Sequence, residues 1–256
     1  RRRHTRLLTV TGVQTCALPI CRIASGVPGK IDLSFLAQSD KPKLNLEAAL
    51  KTGLMFDLDK QHFVLDGMDF SAKGTAAGIS NLAASAKGDV DAKVQSKELS
   101  VSKLAIAATG KPEAGGDLNV KFDAPKLNVT KDKVNGEKIV LDATIAEAKG
   151  KTVVKLEIPG IDGNAKSFSA GGFTLNVEMQ ADGATTKASV TSPLTGSVEA
   201  ERIELPKLTA KVNVNNPKLP KNPIDATITG SALVDVAKEN ANFTFATKFR
   251  SEEHTS

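Results

Sequence analysis

Apolar and polar residues alternate along most of the chain from Lys30 onward. In the first of these runs, Ile31, Leu33 and Phe35 are separated by polar residues. A period of two places alternate side chains on opposite faces of a β-strand, so the pattern predicts strands with one apolar and one polar face. Similar runs recur as far as Phe245, and the Ala-rich stretch 76–86 leaves room for no more than a turn or two of helix. We therefore expect an all-β fold built as a long, twisted antiparallel sheet.

Gly-containing dipeptides separate several of these runs. Asp66-Gly67, Asn135-Gly136, Asp162-Gly163 and Asp182-Gly183 supply the positive φ that tight hairpins require, so they predict four turns. The stretch 215–223 contains three prolines. It predicts an irregular, exposed connection.

The triplet Pro-Lys-Leu recurs at Pro42, Pro125, Pro206 and Pro217. The first three copies are spaced by 83 and 81 residues, and each stands between two alternating runs. This spacing predicts repeat units of about 80 residues, at 22–110, 111–195 and, incompletely, 196–249. Because proline cannot donate a ladder hydrogen bond, we expect it to let the chain bend between neighbouring strands or to bound a sheet edge. No linker composition separates the units, so we expect one continuous sheet.

Both ends of the chain resemble translated sequencing adapter. The stretch VTGVQTCALPI at 10–20 and the stretch RSEEHTS at 250–256 carry this resemblance. We therefore expect 1–21 and 250–256 to derive from adapter, and 22–249 to be an internal fragment of a longer protein. The two ends hold five arginines and two glutamates, so without them the net charge falls from +5 to +2. The basic balance that would favour a nucleic-acid partner disappears with them.

The remaining chain offers little material for catalysis. It has no Trp, Tyr or Cys, and His62 is its one histidine. No histidine-based nucleophile pair or thiol site can be built from this set, so we expect no catalytic, metal-binding or cofactor-binding residues. Asp57 and Asp59 have the spacing of an acid–base pair or a cation site, but beside Lys60 we favour a solvated outer face. A hydrolase would need residues outside 22–249.

The charged residues are scattered, with both signs in the same runs. No exposed aromatic residues are interleaved with them for base stacking, so we expect no nucleic-acid partner.

The apolar positions are unusual for a closed core. Many are Ala, Val or Thr, and the large side chains are spaced out. Such a lining fits a sheet curled into an open apolar trough, in which each buried CH₂ of a hydrocarbon guest would gain about 0.8 kcal/mol. It also fits a thin but ordinary core. If the trough is real, the candidate lipid-contact residues are Leu44, Leu46, Phe56, Leu58, Phe63, Leu65, Phe122, Leu141, Phe173, Leu175 and Val212.

Several short stretches carry a family resemblance. KLNLEAAL at 43–50, MFDL at 55–58, FVLDGM at 63–68 and GSVEA at 196–200 resemble the periplasmic body of AsmA family proteins. The resemblance implies a curled, β-taco-like groove in the periplasm of a Gram-negative cell. It also implies an inner-membrane tether through an N-terminal helix, which we expect to lie upstream of residue 22 in the longer protein. The family is associated with outer-membrane biogenesis and phospholipid transport, and no catalytic residues come with it.

Together, these features predict a non-enzymatic envelope protein without a cofactor. Its expected partners are a phospholipid or other acyl-chain lipid, and the membrane through the missing helix. The alternative is a structural or adhesive β-rich surface protein whose apolar face is a closed core.

Overall fold

The computed structural model describes residues 28–39, 43–113 and 115–250, with the side chains of 249 and 250 excepted. The adapter-like segment 1–21, the last six residues and Pro42 lie outside these ranges. Fifteen strands and no helix are present in the described part. The strands are β1 (Gly29–Ser39), β2 (Leu44–Asp57), β3 (His62–Ala76), β4 (Ile79–Lys93), β5 (Glu98–Pro112), β6 (Asp117–Val129), β7 (Val134–Gly136), β8 (Ile139–Glu147), β9 (Gly150–Ile158), β10 (Ile161–Gly163), β11 (Phe168–Ala181), β12 (Ala184–Ser197), β13 (Arg202–Asn215), β14 (Ile224–Asp235) and β15 (Asn240–Arg250).

All fifteen strands belong to one antiparallel sheet. Most strands pair with their neighbours in sequence. The exceptions lie between β6 and β11, where β7 and β8 together occupy one strand position, end to end, and β9 and β10 together occupy the next. The sheet is therefore an up-and-down meander, and the predicted all-β antiparallel fold is confirmed. The Ala-rich stretch 76–86 enters β4 instead of a helix, because pairing with β3 and β5 outweighs the local preference of alanine.

The hairpin turns differ from those predicted. Of the four predicted dipeptides, only Asp182-Gly183 forms a two-residue turn, with positive φ at both residues. Ala77-Gly78, which was not among them, forms another such turn between β3 and β4. Asn135-Gly136 and Asp162-Gly163 lie inside β7 and β10, and Gly67 lies inside β3. These dipeptides can adopt turn conformations, but the pairing of the flanking strands decides whether a turn forms. The predicted irregular connection is confirmed, because 216–223 links β13 to β14 without regular structure.

A line of irregular pairing crosses the sheet. Register shifts occur at six strand pairs, and each of these pairs has one in the part of the strands nearest to the turns 58–61, 94–97, 164–167 and 198–201. Two further shifts, at Gly74/Ala76 and Ser80/Ala83, lie near the turn 77–78 at the opposite ends of β3 and β4. The breaks between β7 and β8 and between β9 and β10 continue the line. We call this line the crease. It passes through Thr52, Gly67, Gly88, Lys103, Pro125, Lys138, Gly160, Gly171, Pro193, Pro206 and Ser231.

Two of the Pro-Lys-Leu triplets form part of the crease. Pro125 lies within β6 and Pro206 within β13, so each stands inside a single strand instead of joining two, contrary to our expectation. Ser231 alone lies opposite both Pro206 and Lys207, so this site is a β-bulge. The ladder is already interrupted at a bulge, so the hydrogen-bond donor that proline lacks is least needed there. The predicted unit boundaries at 110 and 195 fall inside β5 and β12. The 80-residue repeat stays a prediction.

The sheet is strongly curled. Lys97, in the turn after β4, donates a hydrogen bond to Glu201, in the turn after β12, at 2.5 Å. Six strand steps separate β5 from β13, which in a flat sheet would span about 29 Å. Two outstretched side chains can pair only if their Cα atoms lie within about 14 Å. The edge therefore bends round through more than a half circle between these strands.

Candidate functional site: the apolar concave face

A continuous row of apolar residues, all small except for Phe35 at one end, crosses the sheet at right angles to the strands. Each member lies directly opposite the next on the neighbouring strand, and directly opposed residues point to the same face. We call it the alanine–valine row. It comprises Phe35, Ala48, Ala72, Ala84, Ala108, Val120, Ala143, Val154, Val177, Ala188, Val212 and Ala226.

A second row of larger residues lies beside it, two residues along each strand and on the same face. We call it the leucine row. It comprises Leu33, Leu50, Phe70, Ala86, Ile106, Phe122, Leu141, Leu156, Leu175, Val190, Ala210 and Ile228. No polar residue interrupts either row from β1 to β14. Along these two rows, one face of the sheet is therefore apolar from β1 to β14.

The apolar face continues beyond the crease. In β3 the apolar positions are Phe63 and Leu65 before the crease, but Met68 and Phe70 after it. Leu65 opposes Leu54, and Phe70 opposes Leu50. Leu50 and Leu54 are four residues apart on β2, which has no extra residue there, so they point to the same face. The extra residue of the bulge in β3 therefore keeps Leu65 and Phe70 on that face as well. The row nearest the turns comprises Phe56, Phe63, Ala92, Leu99, Val129, Val134, Gly163, Phe168, Gly196, Ile203, Val234 and Ala241.

The apolar face is the concave one. Val134 is 2% exposed and Ala170 is 3% exposed, although both lie in a single sheet. Side chains on one sheet can be covered to this extent only if other parts of the same face close over them. Ala124 and Ser192, beside the crease, are buried on the same face. The residues that are buried beside the crease on this face are small ones.

No large apolar side chain is fully enclosed. Among the described residues, no Leu, Ile, Phe or Met is buried, and the buried apolar residues are all Ala or Val. Ile106 on β5 and Met179 on β11, both of which are interior strands, are 39% and 47% exposed. In a closed sandwich the large side chains of two inner faces would bury one another. The concave face is therefore an open apolar surface.

The structure places ten of the eleven predicted contact residues on this face. Phe122, Leu141 and Leu175 share the leucine row, and Val212 belongs to the alanine–valine row. The other six on this face are Leu44, Leu46, Phe56, Phe63, Leu65 and Phe173. Leu58 differs, because it begins the turn 58–61 and is 64% exposed. Sequence reasoning overlooked Met68, Phe70, Leu156 and most of the alanine–valine row.

The opposite, convex face is polar and carries alternating charge. Asp32, Lys51, Asp69 and Lys87 oppose one another across β1 to β4. Lys51 pairs with Asp32 at 3.3 Å, and Lys87 with Asp69 at 3.0 Å. Exposed pairs of this kind contribute about 0–1 kcal/mol each, so this face serves solubility more than stability.

The candidate chemical groups have structural partners. Nε2 of His62 lies 2.7 Å from Oδ1 of Asp91. Asp57 accepts a hydrogen bond from the Lys60 amide at 3.0 Å, and this bond, with the Lys60 ammonium, holds the pKa of Asp57 below its ordinary value. Asp59 lies in the turn, so the two carboxylates do not form a pair on one strand.

The described part of the chain contains no group of three or more His, Cys, Asp or Glu side chains placed to hold a metal ion. It also contains no helix that could cross a membrane.

Comparison of the chain with family models, with curated proteins and with solved structures finds no match.

Proposed function

We propose that the apolar concave face binds the acyl chains of a lipid. The observation that supports this function is the continuity of the two apolar rows across the sheet, together with the exposure of their large side chains. A hydrocarbon chain lying across the strands would contact apolar side chains along its whole length. Burial of ten methylenes would contribute about 8 kcal/mol, before the costs of association are subtracted.

In cellular terms, we propose an AsmA-type, non-enzymatic envelope protein that handles phospholipid during outer-membrane biogenesis. The proposed location is the periplasm, with a tether to the inner membrane. The resemblance at 43–50, 55–58, 63–68 and 196–200 supports this proposal, as does the single curled sheet. The proposed guest is a phospholipid or another acyl-chain lipid.

Site-specific photo-crosslinking tests the binding face. A photoreactive amino acid is placed at Phe122 or Leu175, in the leucine row, in protein expressed in Gram-negative cells. Matched controls carry the same probe at Lys121 and Asn176, which adjoin these residues but point to the convex face. We expect lipid adducts, identified by mass spectrometry, at the first two positions only.

Two outcomes would contradict the proposal. One is equal labelling of both faces, and the other is the absence of lipid both from the adducts and from the purified protein.

In addition, polar substitution of Phe56 or Leu175 should weaken the envelope, measured as detergent sensitivity of the cells. A structural or adhesive protein with a closed core would yield no adduct and no such sensitivity.

A further inference from the structure

The edge of the sheet near the crease is built from two hydrogen-bonded groups of turns. In the first group, the amide of Val94 donates to the carbonyl of Gln61 at 3.0 Å, which joins the turns 58–61 and 94–97. In the second group, Val198 donates to Ala165 at 2.8 Å and Val236 donates to Glu201 at 2.9 Å. These bonds join the turns 164–167, 198–201 and 236–239. Backbone hydrogen bonds therefore join the turns within each group.

The stretch between the two groups is the weakest part of this edge. The strands there, β7 and β10, are three residues long. The turn 130–133 closes on itself through Thr130 and Lys133, and within the described residues it makes no backbone hydrogen bond to either group of turns. Short strands with few bonds open at lower cost than long ones, so this stretch can act as a hinge.

One ion pair spans the hinge. Lys97 belongs to the first group of turns and Glu201 to the second, and among the described residues theirs is the only hydrogen bond or ion pair that joins strands so far apart in the sheet. Both residues occupy the left-handed region, with φ of 55° and 50°. Their side chains are 54% and 41% exposed, so salt can screen the attraction.

We infer that the Lys97–Glu201 pair is a reversible clasp that sets how tightly this edge of the sheet is closed. When the clasp is formed, the two groups of turns meet and the concave face is narrow. When it opens, the hinge relaxes and the face widens. An exposed pair is weak enough for both states to be populated, and its loss should change the ratio of open to closed molecules about two- to fivefold. This inference rests on the fold and does not require lipid binding.

Distance measurement between two spin labels tests the clasp in the full chain. The labels are attached at Ser96→Cys and Ala200→Cys, next to the paired residues, after Cys16 and Cys21 are replaced by serine. At low salt we expect a short distance to predominate, beside a smaller population of longer ones. At 1 M salt, or after Lys97→Gln, we expect a larger population of longer distances, extending towards the roughly 29 Å of a flat sheet. The exchange Lys97→Glu with Glu201→Lys should restore the short distance.

The matched control is Lys93→Gln, which removes a 3.0 Å ion pair with Glu98 within one hairpin next to the same turn. It should leave the distances unchanged. Distances that stay the same at every salt concentration and in Lys97→Gln would overturn the inference, as would an equal change in Lys93→Gln. The salt series needs no change of charge, so it decides the matter even if a variant fails to fold. A failure of lipid crosslinking would leave this result unaffected.

Discussion

The carboxylate of Asp89 accepts a hydrogen bond from the backbone amide of Gly67 at 2.7 Å, across the β3–β4 bulge of the crease. Its second oxygen accepts a hydrogen bond from the Ser102 hydroxyl at 2.9 Å, on β5. One side chain therefore ties three adjacent strands together where their ladder is irregular. These bonds replace ladder bonds that the bulge removes, which is why a charged residue is found there.

We expect Asp89→Ala to lower the free energy of unfolding by about 1–3 kcal/mol, because it leaves the Gly67 amide and the Ser102 hydroxyl without their partner. Asp89→Asn keeps one acceptor and should cost less. Urea denaturation followed by circular dichroism measures both. Asp142→Ala, on the exposed outer face, serves as control and should stay within about 0.5 kcal/mol. Equal effects of Asp89→Ala and Asp142→Ala would show that the Asp89 bonds do not hold the bulge.

Stability should decrease in acid through a small set of carboxylates. The Gly67 amide lowers the pKa of Asp89, the Lys60 amide that of Asp57, and the Lys238 ammonium that of Asp235, each below the ordinary value of 3.8. A lowered folded-state pKa adds stability that is complete above about pH 5 and is lost as the pH falls through 3.8 towards the lowered values.

Thermal unfolding between pH 2 and pH 7 measures this loss. The melting temperature should be level above pH 5 and fall below pH 4. Replacement of the three aspartates by asparagine should flatten the profile, whereas an unchanged profile in that variant would assign the acid sensitivity to other groups.

The glycines of the crease should differ sharply in their tolerance of alanine. Gly88 has a φ of +150°, and a Cβ there would lie 2.8 Å from the Cα of Leu104, so Gly88→Ala should cost about 2 kcal/mol or more. Gly172, at the same crease, has open space around it and no positive φ, so Gly172→Ala should be neutral or stabilise by up to about 1 kcal/mol. Denaturation midpoints compare the two, and similar losses would argue against tight strand approach at Gly88.

Truncation of a large side chain on the concave face should lower the free energy of unfolding by less than the same truncation in a packed core. Leu156 lies in the middle of the leucine row but is only half-buried. We expect Leu156→Ala to cost about 1–2 kcal/mol, below the 2–5 kcal/mol usual for a packed core. Leu33→Ala, at 43% exposure on the edge strand, should cost less than about 1 kcal/mol. A loss above 3 kcal/mol at Leu156 would indicate that a second layer covers this face.

The candidate site was predictable where the sheet is regular. Phe122, Leu141 and Leu175 were identified because strict alternation on three strands places them on the apolar face. Phe70 and Met68 were overlooked because alternation in β3 changes parity after Leu65, where two apolar residues are spaced by three. The same spacing separates Val101 from Leu104, which was an available sign of a bulge.

Leu58 lies outside the strand, contrary to the prediction, for a different reason. It continues the alternation of Leu54 and Phe56, yet the carboxylate of Asp57 accepts a hydrogen bond from the Lys60 amide and closes a turn there. A single side-chain hydrogen bond thus ends the strand without any change in the apolar pattern. Asn135 and Asp162 show the reverse case, in which a turn-forming dipeptide is held inside a strand by its neighbours.

The amino-acid sequence by itself determined that this chain forms strands with one apolar face. Successive side chains of a strand point to opposite faces, so the alternation of apolar and polar residues sets the faces of each strand without any distant contact. Only the tertiary structure decided that the strands bend together along one crease and that the sheet curls until Lys97 meets Glu201. The curvature depends on the registers of many strand pairs at once. Lys97 and Glu201 can attract each other only after the six strand pairings between β5 and β13 have formed.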